Sequence, residues 1–125
     1  MKILLDTHVF LWYIKSDRNL TLKSIEMIQN AAEVYVSSAS IWEATIKAKL
    51  GKLDVKIDDL VGAISASGFL KLSITTEHAA ATYKLSDIHR DPFDRLLLAQ
   101  TITEPLIFLT ADKLLQDYSE LVIVI

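Results

Sequence analysis

Short apolar, β-branched runs punctuate the chain at Ile3–Leu5, Val34–Ser37, Leu70–Ile74, Leu106–Leu109 and Leu121–Ile125. The runs near positions 3, 106 and 121 lack polar alternation, the pattern of strands buried on both faces in a parallel sheet. Helical segments are predicted between them. Leu20–Ala32 carries Leu22, Ile25, Met27 and Ile28 on roughly one face. Ser40–Leu50 ends at Gly51 and Asp58–Ser67 near Gly68, each glycine a left-handed stop. Thr76–Leu85 is a further candidate. Pro92–Thr103 opens with proline at the first helical position and stops before Pro105. Asp112–Tyr118 reads as a short last helix and Ser86–Asp91 as a loop. Alternating strands and helices predict a layered α/β domain with right-handed crossovers, its central parallel sheet flanked by helices.

The 125 residues suit one domain with a real core, spanning 1–125. A hydrophobic fraction of 51% and a charged fraction of 23% exclude a disordered chain. The net charge of −3 argues against a ligand-holding mechanism based on bulk positive charge, though not against a local basic patch. With no cysteine, zinc–thiolate sites, disulfides and thiol nucleophiles are excluded. Asp6 and His8 interrupt the apolar start before it reaches signal-peptide length. No run approaches the roughly 20 apolar residues of a membrane span, so a cytoplasmic protein without membrane association is expected.

The acids change the picture. Asp6 closes the first strand run, Glu43 is expected in the first turn of the helix after the second, and Asp94 in the first turn of the proline-started helix. Asp112 follows the fourth run by a few residues. In an open parallel sheet, strand ends and the starts of following helices share one rim, where such folds bind ligands. Two carboxylates about 4 Å apart repel by roughly 4 kcal/mol at an effective dielectric near 20, so they take up protons or a cation. An oxygen-only ligand set favours Mg²⁺ or Mn²⁺, which activates water and clamps a phosphate in phosphodiester hydrolysis.

Each acid also has a structural explanation. Ser40 and Glu43 fit a capping box. Asp91 and Asp94 fit an N-cap followed by a helix-dipole carboxylate, and Asp112 fits a cap. Asp6 has no evident structural duty. Asp91, ahead of proline, is expected to cap backbone N–H groups, leaving Asp94 as the ligand and Asp91 as a supporting or substrate-facing group. Thr7 and Thr110 are candidates to hold the carboxylates. Arg90 and Arg95 are candidates for phosphate contact. Lys47, four residues after Glu43, is expected in a plain helix-surface ion pair, and His8 in local capping. Trp12, Trp42 and Phe93 are expected in the core or a subunit interface rather than under a base.

These residues resemble the motifs of PIN-domain nucleases, and more closely VapC-type toxins of type II toxin–antitoxin pairs. The matching stretches are Leu4-Leu5-Asp6-Thr7-His8-Val9-Phe10-Leu11-Trp12, Ser37-Ser38-Ala39-Ser40-Ile41-Trp42-Glu43, His89-Arg90-Asp91-Pro92-Phe93-Asp94-Arg95-Leu96-Leu97 and Leu109-Thr110-Ala111-Asp112. They fall in order across essentially the whole chain. The resemblance implies a PIN fold and an Mg²⁺- or Mn²⁺-dependent endoribonuclease acting on RNA, often structured RNA such as transfer RNA. It implies Asp6, Glu43, Asp94 and Asp112 as catalytic, metal-holding residues, a homodimer, and an antitoxin that blocks the acidic site.

A phosphoacceptor domain would need an aspartate ending the third strand, where Ser73-Ile74-Thr75-Thr76 stands instead. An aspartate-nucleophile phosphatase would want a second acid where His8 stands. The remaining alternative is a catalytically idle PIN-like module that only binds protein or RNA.

Overall fold

The computed structural model describes residues 1–87 and 91–125. Five strands, β1 (Lys2–Leu5), β2 (Glu33–Ser37), β3 (Leu70–Leu72), β4 (Ile107–Thr110) and β5 (Val122–Val124), form one parallel sheet in the order β3-β2-β1-β4-β5. β1 lies at its centre, with Ile3 beside both Val34 and Ile107 and Leu5 beside Leu109. Ile3, Leu4 and Leu5 are fully buried, which is why this run shows no polar alternation.

Side chains alternate across the sheet and divide the core in two. Ile3, Leu5, Val34 and Val36 pack with Val9, Phe10, Ile28, Leu60 and Ile64 on one face. Leu4 and Phe108 pack with Leu97, Leu98, Leu115 and Val122 on the other. The helices are α1 (Thr7–Lys15), α2 (Leu22–Asn30), α3 (Ser38–Lys49), α4 (Ile57–Ala66), α5 (Thr76–Ala81) and α6 (Pro92–Thr103). The expected three-layer α/β architecture is therefore the one observed.

Gly51 and Gly68 adopt φ of +74° and +78° just past α3 and α4. At each, two N–H groups close back on the helix: Gly68 to Ser65 and Phe69 to Ile64, both at 2.9 Å. That pairing satisfies the terminal carbonyls and turns the chain into the next segment.

The sequence-based boundaries need several corrections. α1 was not expected as a helix, and Asp6, expected to lack a structural duty, is its N-cap and accepts from the Thr7 N–H. α3 starts at Ser38, because the Ser37 hydroxyl caps the Ala39 N–H. Glu43 therefore lies in the second turn, not the first, and the capping box with Ser40 does not form. The third strand stops at Leu72, and Thr76–Leu85 divides into α5 and a 3₁₀ turn at Thr82–Lys84. The final helix is a 3₁₀ segment, Lys113–Tyr118, capped by Asp112. The expected loop Ser86–Asp91 includes residues 88–90, which lie outside the described residues.

α6 is anchored at both ends. Near its start, the Arg95 guanidinium donates to the carbonyls of Ser86 at 2.7 Å, Thr82 at 3.0 Å and Leu85 at 3.4 Å. At its end, Glu104 Oε2 lies 2.6 Å from Nε2 of buried His78. The Thr75 N–H donates to His78 Nδ1, which leaves the ring proton on Nε2, facing the Glu104 carboxylate. Among the described residues, no helix is long and apolar enough to cross a membrane.

Candidate active site

The strand order reverses at β1: the chain steps from β1 through β2 to β3, then returns to place β4 on β1's other side. The crevice beyond the carboxyl ends of β1 and β4 is the topological switch point, the favoured ligand site of such sheets. Asp6 leaves β1 there and Thr110 ends β4. The Asp6 N–H still donates to the Leu109 carbonyl at 3.0 Å, so the acid is registered directly against β4.

Asp6 is buried and its carboxylate is held from two sides. The Thr110 hydroxyl donates to Oδ2 at 2.6 Å and the Thr7 N–H to Oδ1 at 2.7 Å. Among the described residues no lysine or arginine forms an ion pair with it. Burial pushes the Asp6 carboxyl above the ordinary aspartate range. The bonds from Thr110 and Thr7 and the nearby His8 pull it back, and the charge of Glu43 raises it further. Of these causes burial is the largest and the charge of Glu43 the smallest.

Glu43 is also buried, and its carboxylate meets Lys47 Nζ at 2.9 Å, the expected pair one helical turn away. α3 is fastened to α1 by the Thr7 hydroxyl, which donates to Ser40 Oγ at 2.9 Å. Thr7 therefore supports Asp6 through its backbone and α3 through its side chain. The sequence singles out Ser40 as a cap and not as this support, because serines at 37, 38 and 40 are indistinguishable as caps without the fold.

Asp94 occupies the third position of α6 and is half-buried. Asp91 caps that helix as expected, with Oδ1 accepting from the N–H groups of Phe93 at 2.9 Å and Asp94 at 3.1 Å. Asp112 receives the Leu114 N–H at 3.0 Å, while its own N–H donates to Thr110 Oγ1 at 3.0 Å. One hydroxyl, Thr110, therefore links Asp6 to the Asp112 backbone. Of the two arginines considered for phosphate, Arg95 holds carbonyls of the preceding segment, and Arg90 lies outside the described residues.

Carboxylate and hydroxyl oxygens without sulfur form a donor set that suits a hard divalent cation. Asp6, buried and raised, is a group beside which added positive charge is favourable. Among the described residues, no three acidic or histidine side chains stand close enough together to form a ready-made cluster. The fit accordingly lies in the donor chemistry and in the burial of Asp6 and Glu43.

A five-stranded parallel sheet with an acidic switch point is the architecture of PIN domains, and the PIN domain family model matches residues 3–121. The chain belongs to that family. It is 27% identical over 118 residues to Ribonuclease VapC22 of Mycobacterium tuberculosis, covering 93% of this chain and 91% of that protein. Its fold is similar to that in the VapBC2 structure from Rickettsia felis bound to a promoter DNA fragment. The TM-score is 0.72 and the identity 14%, with 100% of this chain and 98% of the other covered. A DNA-bound VapBC structure from Salmonella typhimurium matches with a TM-score of 0.69 and 16% identity over 94% of this chain and 92% of the other. A toxin–antitoxin complex from Klebsiella pneumoniae matches with a TM-score of 0.65 and 17% identity, covering 98% and 96%.

Proposed function

We propose that this chain is a VapC-like ribonuclease, the toxin of a type II toxin–antitoxin pair, that hydrolyses RNA phosphodiester bonds with Mg²⁺ or Mn²⁺. The observation that carries this reading is Asp6: a buried carboxylate at the switch point, held by the Thr110 hydroxyl and the Thr7 N–H and paired with no lysine or arginine among the described residues. Holding such a group costs stability unless a ligand uses it. PIN-family membership and the similarity to a protein named as a ribonuclease support RNA as substrate. The toxin–antitoxin complexes among the structural matches support an antitoxin partner, and in this proposal it covers the acidic rim. A homodimer and a cytoplasmic location belong to the same proposal.

Asp6, Glu43, Asp94 and Asp112 would hold the cation. Once bound, it would lower the pKa of a water and neutralise charge on the phosphate undergoing in-line attack. The protein's own part is orientation. Thr110 and the Thr7 N–H fix Asp6, and the Asp91 cap fixes the turn of α6 that carries Asp94. Glu43, paired with Lys47 in this structure, would turn its carboxylate to the cation, and Asp112 keeps its backbone on Thr110.

The test is incubation of partner-free protein with labelled RNAs, including transfer RNA, in Mg²⁺ or Mn²⁺ and in excess EDTA. Cleavage at discrete sites that requires metal is expected. Cleavage that persists in EDTA contradicts the metal assignment. Absence of cleavage across the panel, with folded and metal-saturated protein, would favour a module that only binds.

A further inference from the structure

Of the two places expected for Trp42, the core or a subunit interface, the core is not the one it occupies: the residue is 56% exposed on α3. It is held without being covered. Its ring packs edge-on against Phe93 of α6, with centroids 5.1 Å apart and planes at 77°, a geometry that stabilises an aromatic pair beyond simple burial. The pair spans the two acid-bearing helices, since Trp42 immediately precedes Glu43 and Phe93 immediately precedes Asp94.

Trp42 also forms one wall of a cleft of about 390 Å³ between α3, α4 and β3. Ile41 and Ile64 give it an apolar floor, Thr45 and Ser73 line it with hydroxyls, and the exposed Lys71 supplies a cation. A flat aromatic wall, an apolar floor, hydroxyls and one amine match the parts of a nucleotide. The base stacks, its polar edge meets hydroxyls, and its phosphate meets the lysine. A purely apolar partner side chain would gain nothing from Lys71.

We propose that Trp42, buttressed by Phe93, is the stacking platform for one unstacked base of single-stranded RNA, seated in this cleft on the helix that also carries Glu43. The inference rests on the ribonuclease reading and adds a subsite to it: substrate is taken up as a single-stranded or looped segment, with one base against the indole and the next phosphate near Lys71. Stacking is sequence-tolerant, because every base has a π-face, so Trp42 contributes affinity and strand form more than base identity.

The experiment uses a short single-stranded RNA and the same oligonucleotide with abasic sites. Trp12→Phe leaves Trp42 as the only indole, and its fluorescence reports stacking directly. Quenching by the RNA but not by the abasic strand is expected. In the wild-type background, Trp42→Ala should weaken RNA binding by about tenfold, within the roughly 5- to 150-fold range of a lost base stack. It should raise KM more than it lowers kcat, and Trp42→Phe should restore most of the loss. Circular dichroism establishes that both variants fold. Equal quenching by the abasic strand, or unchanged affinity and KM in Trp42→Ala, overturns the proposal. So does a Trp42→Ala variant that loses only binding to a protein partner, which would assign the cleft to that partner. Quenching by RNA without any cleavage would leave the platform standing and sink the ribonuclease reading. Metal-dependent cleavage that ignores Trp42 would do the reverse.

Discussion

The hydroxyl of Thr110 at the end of β4 donates to Oδ2 of Asp6 at the end of β1, at 2.6 Å, although the two residues are 104 positions apart. This bond joins the two strands that flank the switch point and sets the orientation of the most deeply buried acid in the site. The same oxygen accepts the Asp112 N–H, so one side chain organises two acid positions.

Thr110→Val keeps the shape of the side chain and removes both interactions. It leaves a buried carboxylate oxygen short of a donor and the Asp112 N–H short of an acceptor. A loss of about 1–3 kcal/mol in urea unfolding is expected. Metal affinity should fall as well, because Asp6 is no longer held and its carboxyl is pushed further up. A variant as stable as wild type would show that the bond contributes nothing net.

Asp6 also gives the metal-free protein a defined pH dependence. Its folded-state carboxyl lies above the ordinary value of 3.8, chiefly because of burial. Between those two values the folded state binds more protons than the unfolded state, so stability falls as pH rises through that window. Below it the penalty is absent, and above it the penalty is constant. Asp6→Asn cannot titrate. In EDTA, the stability of wild type relative to Asp6→Asn should therefore decline as pH rises above about 4 and then level off. Any fixed cost of the amide cancels from the slope. A relative stability that climbs with pH would mean that the Asp6 pKa is lowered by folding.

Lys47 Nζ lies 2.9 Å from Glu43 Oε2, so in the proposed metal site it would compete with the cation for that carboxylate. Removing the amine in Lys47→Met should lower the Mg²⁺ concentration needed for half-maximal binding. A pair that is partly exposed on the lysine side is worth roughly 0.5–1 kcal/mol, or about two- to fivefold in concentration. A higher Mg²⁺ requirement in Lys47→Met would show that the lysine supports the metal site.

Arg95 separates charge from geometry. Its guanidinium reaches three carbonyls, of Thr82, Leu85 and Ser86, a task for a planar fork. Arg95→Lys should therefore cost about 1.5–3 kcal/mol of stability, nearly as much as Arg95→Met. If lysine instead restores both stability and RNA affinity, the positive charge is what matters and phosphate contact is the better account.

Much of this architecture could be read from local pattern. The β1 and β4 runs are uniformly apolar because both faces are covered, and Gly51 and Gly68 end helices because their φ values are positive. α1 escaped notice because Val9, Phe10 and Leu11 are buried while Trp12, Tyr13 and Ile14 also pack on the core, which erases the helical period. The turn that holds Glu43 was misplaced because any of three nearby serines is a plausible cap, and packing selects Ser37. The four acids stood out through chemistry and motif. Their supports did not: Thr7 to Ser40 is a bond between distant hydroxyls, and Arg95 binds backbone carbonyls that carry no sequence signature. Trp42 looks like a core or interface residue by type, and only the fold shows its exposed face.

The central claim is that the four carboxylates act together on RNA through a divalent cation. The most direct measurement is single-turnover cleavage of a cleaved RNA at saturating Mn²⁺ by Asp6→Asn, Glu43→Gln, Asp94→Asn and Asp112→Asn, each verified as folded. Altering groups that merely support metal ligands already costs about 10- to 100-fold, so each charge removal should slow cleavage by at least about 100-fold. Cleavage at the wild-type rate in the Asp94→Asn variant would contradict the assignment of the site.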